Sequence, residues 1–276
     1  MKRCFMGQSQ YPLLVSLFCA WQLIPAASDA ATLAGQEVRG GGTVDLQFPI
    51  NNYFQETAAQ GGNPRPTIGR ALLMFPKGFD PARSWPILIV TSTSDLNRTS
   101  PMDAPWYRDA AMAEGWVVLA TDATIRPRTD SVTWRLAMLT AGLQMIRDNW
   151  PQSARWPVAF AGFSGGAKSS GFLGTMLAKN RGFRICGFFL AGMNADRLSA
   201  AYHDYQPPAD FLGIPVWLSS GTGDQIARPG AVEGVIYSLK RTGFQQVRLE
   251  HFSGGHELQL REIQRALHWF REVGKF

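Results

Sequence analysis

The chain has 276 residues, 45% of them apolar and 17% charged, a balance that suits a packed core and excludes a disordered polypeptide. Its formal charge is +6, yet Lys and Arg are scattered without a run of five, which argues against a nucleic-acid-binding surface.

Residues 1–30 read as a signal peptide. A basic start, "MKRC", precedes the apolar run "YPLLVSLFCAWQLI" and the small-residue exit "PAASDA", so cleavage is expected after Ala30. The run falls short of the roughly 20 apolar residues that span a bilayer, so no stable membrane insertion is expected once it is removed. Cys19 lacks the small preceding residue of a lipidation site. The sequence thus predicts a secreted or periplasmic protein. The mature chain keeps Cys186 alone, inside "ICGFFLAG", which predicts a core thiol and no internal disulfide. No Cys/His cluster has metal-ligand spacing, so neither a metal nor another cofactor is expected.

Residues 31–276 read as a single α/β domain. Residues 31–65 form an N-terminal extension with one strand, "TVDLQFPI", and a loop, "QGGNPRP". The strands predicted next are "RALLMF", "WPILIVT", "GWVVLAT", "WPVAFAG", "ICGFFLAG", "IPVWLSSG" and "QVRLEHF". Several are apolar at nearly every position, as strands covered on both faces are. Between them, Val132, Leu136, Leu139, Leu143 and Ile146 recur at helical steps behind a cap expected at Asp130. Val232, Val235, Ile236 and Leu239 form a second helix between Pro229 and Gly243, and Leu260, Ile263, Leu267 and Phe270 a third. This alternation predicts a mostly parallel sheet of about eight strands with helices on both faces.

Gly162-Phe163-Ser164-Gly165-Gly166 matches G-x-S-x-G between a strand and a helix. A nucleophilic serine needs such a setting, because a sharp strained turn lifts its oxygen clear of the sheet and small neighbours let backbone pass closely. Lys168-Ser169 does not complete a phosphate loop, since the spacing G-x-x-x-x-G-K-[ST] is absent. A hydroxyl attacks only when a base takes its proton and an acid orients the base. Asp224 follows "IPVWLSSG", and His256 stands in the loop after "QVRLEHF"; both fall in the required order, just past later strands. Asp196 is a competing acid. His251 lies within a strand, as a core or surface histidine, and His268 beside Trp269 in the last helix, with a structural role expected; His203, in "AAYHDY", is a candidate for the rim of the site.

From about Ala71 to Phe276 the chain resembles the α/β-hydrolase superfamily, in particular its secreted carboxylesterase-like members. "ALLMFPKGFDPARSWPILIV" resembles the paired strands before their oxyanion loop, "AGFSGG" their nucleophile elbow, "GTGD" their acid loop and "GGHEL" their histidine loop. The resemblance implies Ser164 as nucleophile, Asp224 as acid and His256 as base. It implies hydrolysis of a carboxylic ester through an acyl-enzyme, with the Gly165 N–H as one oxyanion donor. The family commonly has His-Gly after the strand matching "ILIV", whereas this chain has Thr91-Ser92-Thr93-Ser94, so the second donor falls to Thr93 or Ser94. The short segment from Gly192 to Gly213 leaves little or no lid, and an open cleft suits a bulky or polymeric ester. Arg126 or Arg128 either holds an acidic group of the substrate or sits in a solvated loop. Trp106, Tyr107 and Trp134 are candidates for an aromatic platform, with core packing the alternative for Trp134. A serine peptidase and a degenerate hydrolase kept as a binding protein are the competing functions. The first usually carries a large gating domain, for which this chain has no room.

Overall fold

The computed structural model describes Met1, residues 31–180 and residues 182–276. The leader read over residues 1–30 falls, Met1 apart, outside that set.

The described chain begins with a small hairpin of β1 (Ala31–Leu33) and β2 (Gln36–Val38). The main sheet starts with β3 (Thr43–Pro49), followed by helix α1 (Asn52–Ala59), β4 (Ile68–Met74) and β5 (Ile87–Thr91). Two short helices, α2 (Ser100–Asp103) and α3 (Arg108–Ala113), lead to β6 (Val117–Ala123) and the long α4 (Val132–Asn149). Then come β7 (Val158–Phe163), α5 (Gly165–Lys179), β8 (Ile185–Ala191) and α6 (Arg197–Tyr205). The chain ends with β9 (Val216–Gly221), α7 (Pro229–Thr242), β10 (Val247–Phe252) and α8 (Leu260–Gly274).

Eight strands form one sheet in the order β10-β9-β8-β7-β5-β6-β4-β3. Every neighbouring pair is parallel except β3 with β4 and β4 with β6. The near-continuous apolar runs follow from this, because alternate residues of a strand enter different cores. Ile87, Ile89, Val117, Leu119, Phe160 and Phe188 pack on the α4, α5 and α7 side. Leu88, Val90, Val118, Ala120, Ala161 and Phe189 pack on the α3 and α8 side. Among the described residues no helix is long and apolar enough to cross a membrane.

Four expectations need correction. The N-terminal region holds the β1–β2 hairpin and α1 as well as one strand. The segments matched to paired strands, β4 and β5, are not neighbours, since β6 lies between them. The cap of α4 is Ser131, whose hydroxyl accepts from Trp134 N at 3.1 Å, while Asp130 pairs with Arg135. Leu260 is exposed at the start of α8, whereas Ile263, Leu267 and Phe270 are buried as expected. The second predicted helix is α7, closed by Gly243 at φ 108°, a left-handed cap that glycine adopts without steric cost.

Candidate active site

Ser164 lies between the last residue of β7 and the first of α5, with φ 56° and ψ −117°. A non-glycine residue held there costs on the order of 1–3 kcal/mol and persists only where its surroundings fix it. Here the Ser164 N–H donates to Ala191 O at 2.8 Å, which ties the turn to the end of β8. A side chain on Gly162 would run into the backbone of Gly166, and one on Gly166 would run into the carbonyl of Thr91. The turn therefore closes only with both glycines present. Beneath it, Thr91 Oγ1 donates to Gly166 O at 2.7 Å and shares a 2.8 Å hydrogen bond with Ser170 Oγ.

Asp224 follows β9 and is buried. Its Oδ1 accepts from the N–H groups of Ile226 and Ala227, both at 2.7 Å, and its Oδ2 lies 2.7 Å from His256 Nδ1. Burial alone would raise this carboxyl. The imidazole of His256 and the N–H groups of Ala227 and Ile226 outweigh burial and hold it below the ordinary carboxylate range. An ionised Asp224 fixes a proton on Nδ1 and leaves Nε2 as the basic nitrogen.

Thr222 N donates to Phe252 O and Gly223 N to Gly254 O, both at 2.8 Å, which binds the Asp224 loop to the loop that carries His256. The His256 ring lies against Phe163, the residue before Ser164, with centroids 4.6 Å apart. Among the described residues no hydrogen bond joins Ser164 Oγ to His256. The imidazole is thus beside the turn at Ser164 and bonded to Asp224, but not to the serine.

Asp196 is otherwise engaged, capping α6 by accepting from Ser199 N at 2.9 Å. His251 and His268 are exposed, and His268 faces Glu114. Cys186 is buried, and burial pushes its thiol far above the usual range, which leaves it unreactive.

Thr93 packs against the elbow: its Cα and Cβ lie 3.2 Å from where a Gly165 side chain would begin. Neither the Thr93 N–H nor the Gly165 N–H has a hydrogen-bond partner among the described residues. Ser94 serves its own turn, its hydroxyl accepting from Leu96 N at 3.3 Å and its carbonyl from Arg98 N at 3.0 Å. Arg126 braces that turn by donating to Leu96 O at 3.0 Å. The backbone N–H groups of Arg128 and Thr129 donate to Asn63 at 2.8 and 2.9 Å. Of the three aromatic candidates, Tyr107 and Trp134 are buried and belong to the core. Trp106 is 45% exposed, with the Arg98 guanidinium 4.3 Å above its ring. The segment expected to spare a lid folds as α6, which packs on α5 through buried Leu198 and Ala201.

Sequence reasoning missed Arg135 and Asp95, both buried behind the Thr91–Ser94 loop. Arg135 Nη1 donates to Ser92 O at 2.6 Å, and Asp95 Oδ1 accepts from Ser92 Oγ at 3.2 Å. The signal open to the sequence was an arginine three residues after Val132 and four before Leu139, on the apolar face of a helix that packs on the sheet.

No protein-family model matches the sequence, and no curated protein is similar to it. Solved structures are similar in fold. A serine hydrolase without a lid from Xanthomonas campestris aligns with a TM-score of 0.56 and 19% identity, over 86% of this chain and 97% of that one. A fungal esterase from Rhizomucor miehei aligns at 0.57 and 15%, over 86% and 85%. A carboxylesterase from Bacillus cereus aligns at 0.50 and 17%, over 80% and 98%. The chain therefore has the α/β-hydrolase fold.

Proposed function

We propose that this protein is a serine hydrolase that cleaves carboxylic esters through an acyl-enzyme. The observation that carries this reading is the strained Ser164 at the end of β7, beside a His256–Asp224 pair bonded at 2.7 Å. In the proposed mechanism Ser164 Oγ attacks the ester carbonyl while His256 Nε2 takes its proton. Asp224 stabilises the imidazolium that forms. The N–H groups of Gly165 and Thr93 hold the charge that develops on the carbonyl oxygen. The imidazolium then protonates the leaving alcohol, and water repeats the sequence in reverse to release the acid.

The packing of α6 onto α5 favours an open site, and with it a bulky or polymeric ester. The exposed Trp106–Arg98 stack offers a flat surface on the side of the second oxyanion loop. Arg126 is spent in part on Leu96, so its role toward an acidic substrate group rests on its remaining N–H donors. The first thirty residues direct export, which places the mature protein outside the cell or in a periplasm. Mass measurement of exported protein should find Ala31 as its first residue.

A fluorophosphonate probe tests the chemistry. The wild type should be labelled and Ser164→Ala should not, with both proteins folded. Labelling that ignores the substitution removes Ser164 from the mechanism, and no labelling of either protein sinks the enzyme and favours a binding role. Short p-nitrophenyl esters set against peptide amides then separate esterase from peptidase.

A further inference from the structure

Ser92 is completely buried, and each of its polar atoms is engaged. Its N–H donates to Ser100 Oγ at 3.1 Å, its hydroxyl to Asp95 Oδ1 at 3.2 Å, and its carbonyl accepts from Arg135 Nη1 at 2.6 Å. That carbonyl belongs to the same peptide unit as the N–H of Thr93. A trans peptide is planar, with its C=O and N–H pointing in opposite directions. Anchoring the oxygen on a buried guanidinium therefore turns the Thr93 N–H away from the interior. Thr93 itself is exposed and packed against Gly165, so the outward direction is the side of the elbow.

The guanidinium is itself fixed. Arg135 is 6% exposed; it donates to Asp130 from Nε at 3.0 Å and from Nη2 at 2.9 Å, and Asp95 Oδ2 lies 3.6 Å from Nε. Its rotamer is held by two carboxylates from two loops, and the third partner is the peptide oxygen. A cation on that oxygen also polarises the unit, which strengthens the N–H as a donor.

We propose that Arg135 is the positioning residue of the oxyanion hole: by clamping the Ser92 carbonyl it aims the Thr93 N–H at the substrate oxygen. This rests on the ester-hydrolase reading above. It accounts for a loop that does without His-Gly, because buried charge sets the direction of the peptide that glycine freedom would otherwise allow.

The test compares wild type, Arg135→Gln and Arg135→Lys in thermal melts, in steady-state hydrolysis of p-nitrophenyl butyrate, and in binding of a trifluoromethyl ketone. The ketone forms a tetrahedral oxyanion on serine and reports the hole directly. In Arg135→Gln, kcat should fall about 10- to 100-fold at nearly constant KM, with ketone affinity falling by a similar factor. Arg135→Lys keeps a charge and one donor and should recover part of both losses; it also carries the test if the glutamine variant does not fold. A folded variant with kcat within twofold of wild type overturns the proposal, as does a fall in kcat with ketone affinity unchanged. Loss of fold in both variants makes Arg135 a structural residue only and overturns it too. A wild type that neither labels at Ser164 nor turns over ester fails the ester-hydrolase reading itself, and is distinguished from these outcomes by that first control.

Discussion

Gly165→Ala isolates the geometry of the proposed oxyanion hole from the stability of the fold. An alanine Cβ there would stand 2.6 Å from Thr93 Cγ2 and 3.2 Å from Thr93 Cα and Cβ. Carbon atoms settle at about 3.5–4.0 Å, so Thr93 must retreat by roughly 1 Å if its rotamer is kept. Turning χ1 moves Cγ2 away but leaves the other two contacts, so the smallest displacement is roughly 0.3 Å. Thr93 is exposed and can move without opening a core, and alanine is the better helix former by about 1 kcal/mol. Thermal stability should therefore change little. Activity should not be spared, since a misplacement of about 1 Å can cost roughly 100-fold and a smaller one proportionately less. We expect kcat/KM for p-nitrophenyl butyrate to fall between about 10- and 100-fold. Thr93→Ser removes the closest atom, so the double variant Gly165→Ala/Thr93→Ser should regain part of the loss, a coupling that a double-mutant cycle measures. Wild-type kcat/KM in a folded Gly165→Ala protein would refute the placement of Thr93 against the elbow, and absence of any coupling would refute the mechanism of the loss.

Two further predictions concern the buried carboxylates. Asp224→Asn keeps an acceptor for the N–H groups of Ile226 and Ala227 but can present an amide N–H to His256, which stabilises the tautomer with its proton on Nε2. A fall in kcat of about 10,000-fold with KM little changed is expected, and a loss below tenfold would remove Asp224 from the mechanism. Burial pushes Asp95 up to about 6, in spite of the pull of Arg135. Because the folded value is the higher one, the stability this group contributes is complete below its unfolded value of about 3.9 and is lost as pH rises through about 6. Between pH 4.5 and 7.5 the wild type should lose about 2 kcal/mol relative to Asp95→Asn in urea titrations, and a difference that does not move with pH would count against the assignment.

The sheet was legible because burial on both faces leaves a signature that needs no tertiary knowledge. The runs "ILIV", "VVLA" and "FFLA" belong to β5, β6 and β8, each serving two cores at once. Asp224 and His256 were legible for a related reason: side chains that must meet above a parallel sheet have to follow its strands. What escaped notice depends on contacts between distant segments. Helix α1 reads "NYFQETAA" and buries Ala58 alone, so its apolar spacing is faint, and its one clear signal is the Asn51 cap on Phe54 N. Both Asp130 and Ser131 are good helix caps, and the choice between them is made by Arg135, which takes Asp130 for itself.

Arg135 marks where sequence patterning stops being informative about this site. Read along α4, Arg135 stands three residues after Val132 and four before Leu139, on the apolar face, but the spacing says nothing of what a buried guanidinium pairs with. In the fold that position is roofed by the loop after β5, and burying the guanidinium is possible only because Asp95, Asp130 and the Ser92 carbonyl surround it. None of the three neighbours it in a way that helical spacing would reveal: one precedes the helix and two lie about forty residues earlier. The departure from His-Gly at Thr91–Ser94 and the buried charge on α4 are then two halves of one arrangement. A loop without glycine has its peptide direction set from behind, and the residue that sets it is visible only once α4 is laid against the sheet.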